Sequence, residues 1–309
     1  MTSSLPKLAL IAGPTASGKS ALALALAERT GGTIINADSA QVYRDLRILT
    51  ARPPADEEAR APHRLFGHVD AADAGYSAAR WAAEARAAIG EAVAQGRRPI
   101  LVGGTGLYLR TLLDGIAAVP PIDPAVRAAV RALAVEAAHD ELARLDPPAA
   151  ARLHRHDTAR VARALEVIRS TGRPLAAWQA GREGGLGAAV ALSAVILLPD
   201  RGALGAAIDR RAEAMMASGV EGEVAALLAR DDVPADAPVR RAIGVAAIAG
   251  WLGGDLDRHA ATDQLALDTR RYAKRQYTWF RHQPPPTWQR LNNYCSSGQE
   301  NAIKVLLEG

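Results

Sequence analysis

Cysteine is almost missing from this chain, with Cys295 the single one. One thiol cannot close an internal disulfide. A disulfide-stapled secreted scaffold is therefore excluded, and a reducing compartment, the cytoplasm, is the expectation. Aromatic residues are scarce too, at 4% of the chain, and alanine fills many helical stretches in their place. Long apolar runs are also lacking. The longest uncharged run, GGLGAAVALSAVILLP between Glu183 and Asp200, is too short and too rich in glycine for the roughly 20 apolar residues of a membrane span. Lys7 followed by LALIAGPTASG imitates a leader peptide, but Lys19 interrupts the run and its glycines have a better use. No membrane segment is expected. Nor does charge of one sign dominate. Lys and Arg number 37 against 33 Asp and Glu, a net charge of +4. Such a mild basic excess permits a polyanionic partner without requiring one.

What remains is ordinary globular composition, 49% apolar and 23% charged over 309 residues. That is enough for one large domain or two modest ones. Four short apolar runs read as strands: LALIA (8–12), TIINAD (33–38), PILVGG (99–104) and LSAVILLPD (192–200). Helical stretches rich in Ala, Arg and Glu separate them, one capped by Ser77 and closed by Gly96. Short continuous apolar strands alternating with helices predict a parallel α/β sheet flanked by helices. In such sheets ligands bind outside the carboxyl ends of the strands. The alternation stops after VPPIDP, where Asp123 and Pro124 start a run of helices, and resumes only at Leu192. We therefore expect a core of residues 1–118 and 190–309 with a helical C-terminal part. A smaller all-helical insertion over 119–189 would join it through VPPIDP and GREGGLG, either of which could act as a hinge.

GPTASGKS fits G-x-x-x-x-G-K-[ST] in full and lies between a strand and a helix. It comprises Gly13, Pro14, Thr15, Ala16, Ser17, Gly18, Lys19 and Ser20. Its backbone N–H groups, the helix N-terminus and Lys19 would cradle a pyrophosphate, and Ser20 can ligate Mg²⁺. Hydrolytic relatives of this loop usually hold the metal with an acidic residue at the end of a later strand. Here PILVGG ends in glycine, and the carboxylate is Asp38 on the second strand. That weakens a simple ATPase.

DSAQVYRDLRILTARP (38–53) and ILVGGTGLYLRTLLDG (100–115) accompany the loop. LHRHDTARVARALEV (153–167), RAIGVAAIAGWLGGD (241–255) and DTRRYAKRQYTWFR (268–281) follow in order. Together these blocks closely resemble the tRNA dimethylallyltransferases over nearly the whole chain. The resemblance implies a monomeric, Mg²⁺-dependent prenyltransferase. Its substrates would be dimethylallyl diphosphate and the anticodon stem-loop of tRNAs reading codons that start with U. The N6 amine of adenosine 37, beside the anticodon, would attack the allylic carbon, giving N6-(dimethylallyl)adenosine and diphosphate.

The resemblance also implies roles. Asp38 would act as general base for an amine whose lone pair is delocalised into the ring, help worth about 10²–10⁴-fold. A helix cap or a residue behind the metal is the bland reading of the same carboxylate. Thr105, in the GGTG turn, would hydrogen-bond that amine or simply cap the next helix. The loop, Lys19, Mg²⁺ and Arg211 would stabilise the leaving diphosphate. Many relatives carry another arginine where this chain has Ala207, which leaves Arg210 as an alternative to Arg211.

On the RNA side the target base must leave its stack. Asp38, Ser39, Ala40, Gln41 and Thr105 would meet it, with Ser39 and Gln41 reading base edges. Arg127, Arg160, Arg163, Arg241, Lys274 and Arg275 would take the RNA, with Arg160 and Arg163 one turn apart on a helix. Arg271, Lys274 and Arg275 share a helical face, whereas Tyr272, Tyr277 and Trp279 are expected to face elsewhere and pack. Two histidines in HRHD suggest a metal site, but a plain helix entry explains them. Val245 stands where relatives usually have tyrosine. Three other readings stay open at this point: a free-adenylate prenyltransferase, a nucleotide-binding kinase or ATPase switch, and a pure RNA-binding module.

Overall fold

A computed structural model describes residues 5–73, 75–292 and 296–308, so Cys295 lies outside the described residues. In chain order its strands are β1 Lys7–Ala12, β2 Thr33–Asn36, β3 His63–Arg64, β4 Pro99–Gly103, β5 Ile116–Ala117, β6 Arg182–Glu183, β7 Ala191–Leu197 and β8 Gln289–Leu291. Six of them form one parallel sheet in the order β3-β2-β4-β1-β7-β8. This is the mixed α/β architecture, a parallel sheet flanked by helices, that the alternation predicts.

The central strands read as unbroken apolar runs because helices cover both faces of the sheet. Leu8 through Ala12 are fully buried, and Ile35, Leu101 and Val195 are as deep. The helix Lys19–Thr30 starts at Gly18 and stops at Gly31, both in the left-handed region. Its Leu22 and Leu26 pack with Ile34, Ile100 and, from the helix Ser296–Glu308, Ala302, Ile303 and Leu306. The helix Ala78–Ala94 begins where the Ser77 side chain accepts from Arg80 N at 3.3 Å. Its fully buried Trp81 stacks on Tyr108 at 4.3 Å and donates to Asn36 O at 2.9 Å. That bond pins the end of β2, two residues before Asp38.

β3 and β8 are missing from the sequence reading. They are edge strands of two and three residues, His-Arg and Gln-Arg-Leu. Segments so short and polar carry no period of two.

The chain divides into two compact units, residues 1–112 with 186–309, and residues 113–185. In the larger unit the chain departs at Leu112 and returns at Leu186, whose N–H donates to the Leu112 carbonyl at 2.8 Å. The smaller unit packs the helices Pro124–Arg131, Val135–Leu145, Pro147–Arg152 and Thr158–Thr171 around Val130, Leu142, Val161 and Leu165. Asp123, Asp146 and Asp157 cap three of these helices through their carboxylates. This unit is not all helix, because β5 and β6 pair antiparallel. The ribbon forms where Gly115, at φ 84°, lets the backbones meet. A Cβ there would lie 2.4 Å from the Glu183 carbonyl oxygen. Two paired residues per strand leave no pattern that a sequence reader could see.

Candidate functional site

Three strand ends converge on one cleft. After β1 the Gly-Lys-Ser loop turns into its helix. The Lys19 Nζ donates to the Pro14 carbonyl at 2.6 Å. Burial pushes the Lys19 ammonium down to about 8; the nearby Asp38 carboxylate offsets part of this, and Arg211 adds to it. Ala16 sits at φ 61°, a strained conformation for a residue with a side chain. The buried Ser17 Oγ has no hydrogen-bond partner among the described residues. Ser20 is exposed on the first turn of the helix.

After β2, the fully buried Asn36 sets the turn. Its Oδ1 accepts from Asp38 N at 2.8 Å, and its Nδ2 donates to the carbonyls of Asp38 and Leu65, both at 3.0 Å. Asp38 Oδ1 accepts from Ala40 N at 2.9 Å. Its other oxygen accepts no hydrogen bond among the described residues. After β4, Gly103 presses so closely on the β2 turn that a Cβ would meet the Ala37 backbone at 2.2 Å. Thr105 Oγ1 accepts from Ser39 N at 2.9 Å and donates to Ser39 Oγ at 3.2 Å. Asp38, Ser39 and Thr105 are thus held together by the backbones of two neighbouring turns.

The cleft over these turns has room for about 470 Å³, the size of a small-ligand site. Of the residues expected from the sequence, Thr15, Asp38, Ser39, Ala40, Thr105, Arg211, Arg241 and Arg275 line it. Arg211 donates from Nη1 to Thr15 Oγ1 at 3.3 Å, and burial lowers its pKa against the pull of Asp38. Arg210 is exposed and is not among the lining residues. On the helix Arg201–Ala217 the lining residues are Ile208, Arg211, Ala212 and Met215. That is one helical face, with the cation set among apolar neighbours.

Several expectations need correcting. Gln41 does not line the cleft; its Nε2 donates to the carbonyls of Thr50 and Ala51, both at 2.9 Å, and so holds a turn that does. Lys274, expected to meet RNA and not this cavity, is exposed on the same long helix and lies outside the cleft. Tyr272 does not pack away from the site. It lines the cleft with the Arg275 guanidinium 5.6 Å above its ring, and burial, reinforced by Asp38, raises its hydroxyl pKa. Tyr277 does pack, against Leu204, Ile208 and Ala273. Trp279 packs as well, closely enough that a Cβ at Gly106 would meet it. Tyr43, Tyr76 and Tyr108 also line the cleft, three tyrosines to which the sequence reading gave no role. Val245 is buried, so the place where relatives have tyrosine lies inside the fold here.

In the smaller unit, Arg127, Arg131 and Arg163 surround the buried Glu166 carboxylate at 4.0, 3.3 and 3.8 Å. Arg160 pairs with Asp157 at 3.2 Å and is largely exposed. His154 and His156 belong to the turn that enters the helix, where Asp157 N donates to His154 O. No group of three or more His, Cys, Asp or Glu among the described residues could hold a metal. No helix among them is long and apolar enough to cross a membrane.

A glycine-rich loop between the first strand and its helix thus faces a carboxylate on the next strand end, at the carboxyl-terminal edge of an α/β sheet. Its cleft sets three arginines, Arg211, Arg241 and Arg275, in a mostly apolar lining. The family model described as IPP transferase matches residues 41–283. A tRNA dimethylallyltransferase of Sphingopyxis alaskensis is 61% identical over 284 residues, 92% of each chain. Another, of Erythrobacter litoralis, is 57% identical over 294 residues, 94% of this chain and 92% of that one. The full-length tRNA isopentenylpyrophosphate transferase of Bacillus halodurans matches in structure with a TM-score of 0.69 at 33% identity, covering 98% of this chain and 97% of that one. A eukaryotic dimethylallyltransferase acting on tRNA matches at 0.77 and 28% identity, covering 89% and 70%. The chain belongs to the IPP transferase family, whose curated members named here are tRNA dimethylallyltransferases.

Proposed function

We propose that the cleft transfers a dimethylallyl group from dimethylallyl diphosphate to N6 of the adenosine beside the anticodon of tRNA. The C–O bond to the diphosphate breaks as the N–C bond forms, and the amine proton passes to Asp38. The observation that carries this reading is the meeting of two kinds of chemistry in one cleft. Thr15 and Arg211 supply a polar, cationic end; Asp38 and Thr105 supply a base and a hydrogen-bond partner. Ile208, Ala212, Met215 and Leu265 form an apolar wall of the same cleft. An allylic tail has a place against that wall; a kinase or ATPase has no use for one.

The donor set fits Mg²⁺ of the substrate-bound kind. That ion keeps several waters and is usually held by few protein ligands together with phosphate oxygens. The exposed Ser20 hydroxyl would hold it, and the unpartnered Ser17 Oγ is a further donor for the anion. When bound, Mg²⁺ neutralises charge developing on the departing diphosphate. The residues' own work is separate from that. Lys19 and Arg211 fix the diphosphate, the Gly103 contact fixes the two turns, and Asp38 takes the proton. Tyr272 offers a ring on which an extruded base can stack, a contact worth about 1–3 kcal/mol per base.

The test is nucleoside mass spectrometry after incubating unmodified tRNA with the protein, Mg²⁺ and dimethylallyl diphosphate. AMP and ATP serve as parallel acceptors. A five-carbon adduct on the tRNA adenosine alone is expected. An adduct on free AMP would move the reading to an adenylate prenyltransferase. ATP hydrolysis without any adduct would overturn prenyl transfer altogether.

Arg160 and Arg163 supply the matching RNA-side prediction. The double change to glutamine should weaken tRNA binding and reduce the slope of log K against log[salt] by roughly 1–2, as one or two phosphate contacts are lost. An unchanged slope with a lower melting temperature would make both arginines structural.

A further inference from the structure

Gln276 stands on the long helix Arg258–His282, is 6% exposed, and hydrogen-bonds to backbone groups. Its carboxamide is used at both ends, on two different turns. Oε1 accepts from the Thr15 N–H of the phosphate loop at 2.8 Å. Nε2 donates to the Gly104 carbonyl of the GGTG turn at 2.9 Å. A Cβ on Gly104 would lie 2.3 Å from that nitrogen, so the glycine is what allows the approach. Thr15 is also the residue whose hydroxyl accepts from Arg211, and Gly104 immediately precedes Thr105. On the same helix Tyr272 and Arg275, four and one residues earlier, line the cleft.

One uncharged side chain therefore joins the diphosphate end of the cleft to the acceptor end. A carboxamide suits this place because it offers a donor and an acceptor in one rigid plane. Its burial makes each bond matter, since removing one partner leaves a desolvated backbone group unpaired.

We propose that Gln276 is a positioning residue that sets the separation between the leaving diphosphate and the attacking amine, by clamping the phosphate loop to the GGTG turn. The proposal rests on the prenyl-transfer reading above. Displacement at the allylic carbon needs the nitrogen and the departing oxygen held on opposite sides of one atom. A misplacement of about 1 Å in such an arrangement costs about 10²-fold in rate. Gln276 reaches neither reactant in this account. Its loss should act on the bound complex and spare ligand affinity.

The experiment compares the wild type with Gln276→Glu and Gln276→Met. The glutamate keeps an acceptor for Thr15 N–H and loses the donor to Gly104; the methionine loses both. Single-turnover prenylation at saturating tRNA and dimethylallyl diphosphate should slow by about 10- to 100-fold in both variants. Equilibrium affinities for tRNA and for inorganic pyrophosphate should stay within about threefold in Gln276→Met, which adds no charge. Rates near wild type would overturn the proposal. So would a fall in both affinities and melting temperature that accounts for the lost rate, because Gln276 would then be only a packing residue. If the wild type itself forms no adduct, the prenyl-transfer reading fails and this proposal falls with it. That outcome is distinct from an active wild type with equally active variants.

Discussion

Changing Asp38 to asparagine should lower single-turnover prenylation by about 10²–10⁴-fold while both ligands still bind. The substitution is chosen for what it preserves. An asparagine Oδ1 can still accept from Ala40 N, as Asp38 does at 2.9 Å, and the Asn36 side chain holds the backbone of residue 38 in either case. The turn therefore keeps its shape, but a carboxamide cannot take the amine proton. The variant has one electrostatic side effect. Asp38 raises the pKa of Lys19, so without it Lys19 loses its proton at a lower pH. Measuring diphosphate affinity at pH 7 keeps Lys19 largely charged and separates the two effects. Turnover within tenfold of wild type would remove Asp38 as the base.

Changing Lys19 to methionine should weaken pyrophosphate binding by about 10- to 100-fold, the equivalent of losing charge-assisted hydrogen bonds worth about 1.5–3 kcal/mol. The wild-type affinity should itself depend on pH. Burial places the Lys19 pKa at about 8 in the free protein, and a bound anion favours the charged form. Binding above pH 8 therefore takes up a proton, and affinity falls as pH rises through 8. Calorimetry with inorganic pyrophosphate in buffers of different ionisation enthalpy reads that proton directly, and Lys19→Met should abolish it. Folding stability has the opposite sign. Between about pH 8 and 10.5 the unfolded chain carries the Lys19 proton and the folded chain does not, so this residue's contribution to stability improves as pH rises across that window. Methionine should also remove the cost of burying the cation. A variant that is at least as stable as wild type yet binds pyrophosphate poorly is the expected signature; unchanged affinity would sink the loop assignment.

The sequence was most legible where chemistry demands a contiguous stretch. The strand-to-helix place of the Gly-Lys-Ser loop, the four central strands and the GGTG turn are each local, and each is where the sequence pattern puts it. What could not be read is contact between segments far apart in the chain. Gln276 meets Thr15 across 261 positions, and no spacing rule links them. Tyr272 was misplaced because it was grouped with the packing aromatics of the same helix. The helix Arg201–Ala217 did carry a readable signal, since Ile208, Arg211, Ala212 and Met215 share one face. That face would have favoured Arg211 over Arg210. The ribbon β5–β6 and the edge strands left no trace because two or three residues cannot display a period.

The hydrogen bond between Leu186 and Leu112 also bears on how the chain assembles. β4 and β7 flank β1 on either side, yet everything from Leu113 to Gly185 lies between them in sequence. If that stretch had to stay open while the sheet formed, bringing its ends together would add a loop-closure penalty that grows with its length. Instead it condenses on its own core, and its two ends pair through β5 and β6. The effective separation of β4 and β7 shrinks to the few residues around that bond. In kinetic terms the sheet can close as though the excursion were a short turn, and its formation need not slow in proportion to the residues inserted.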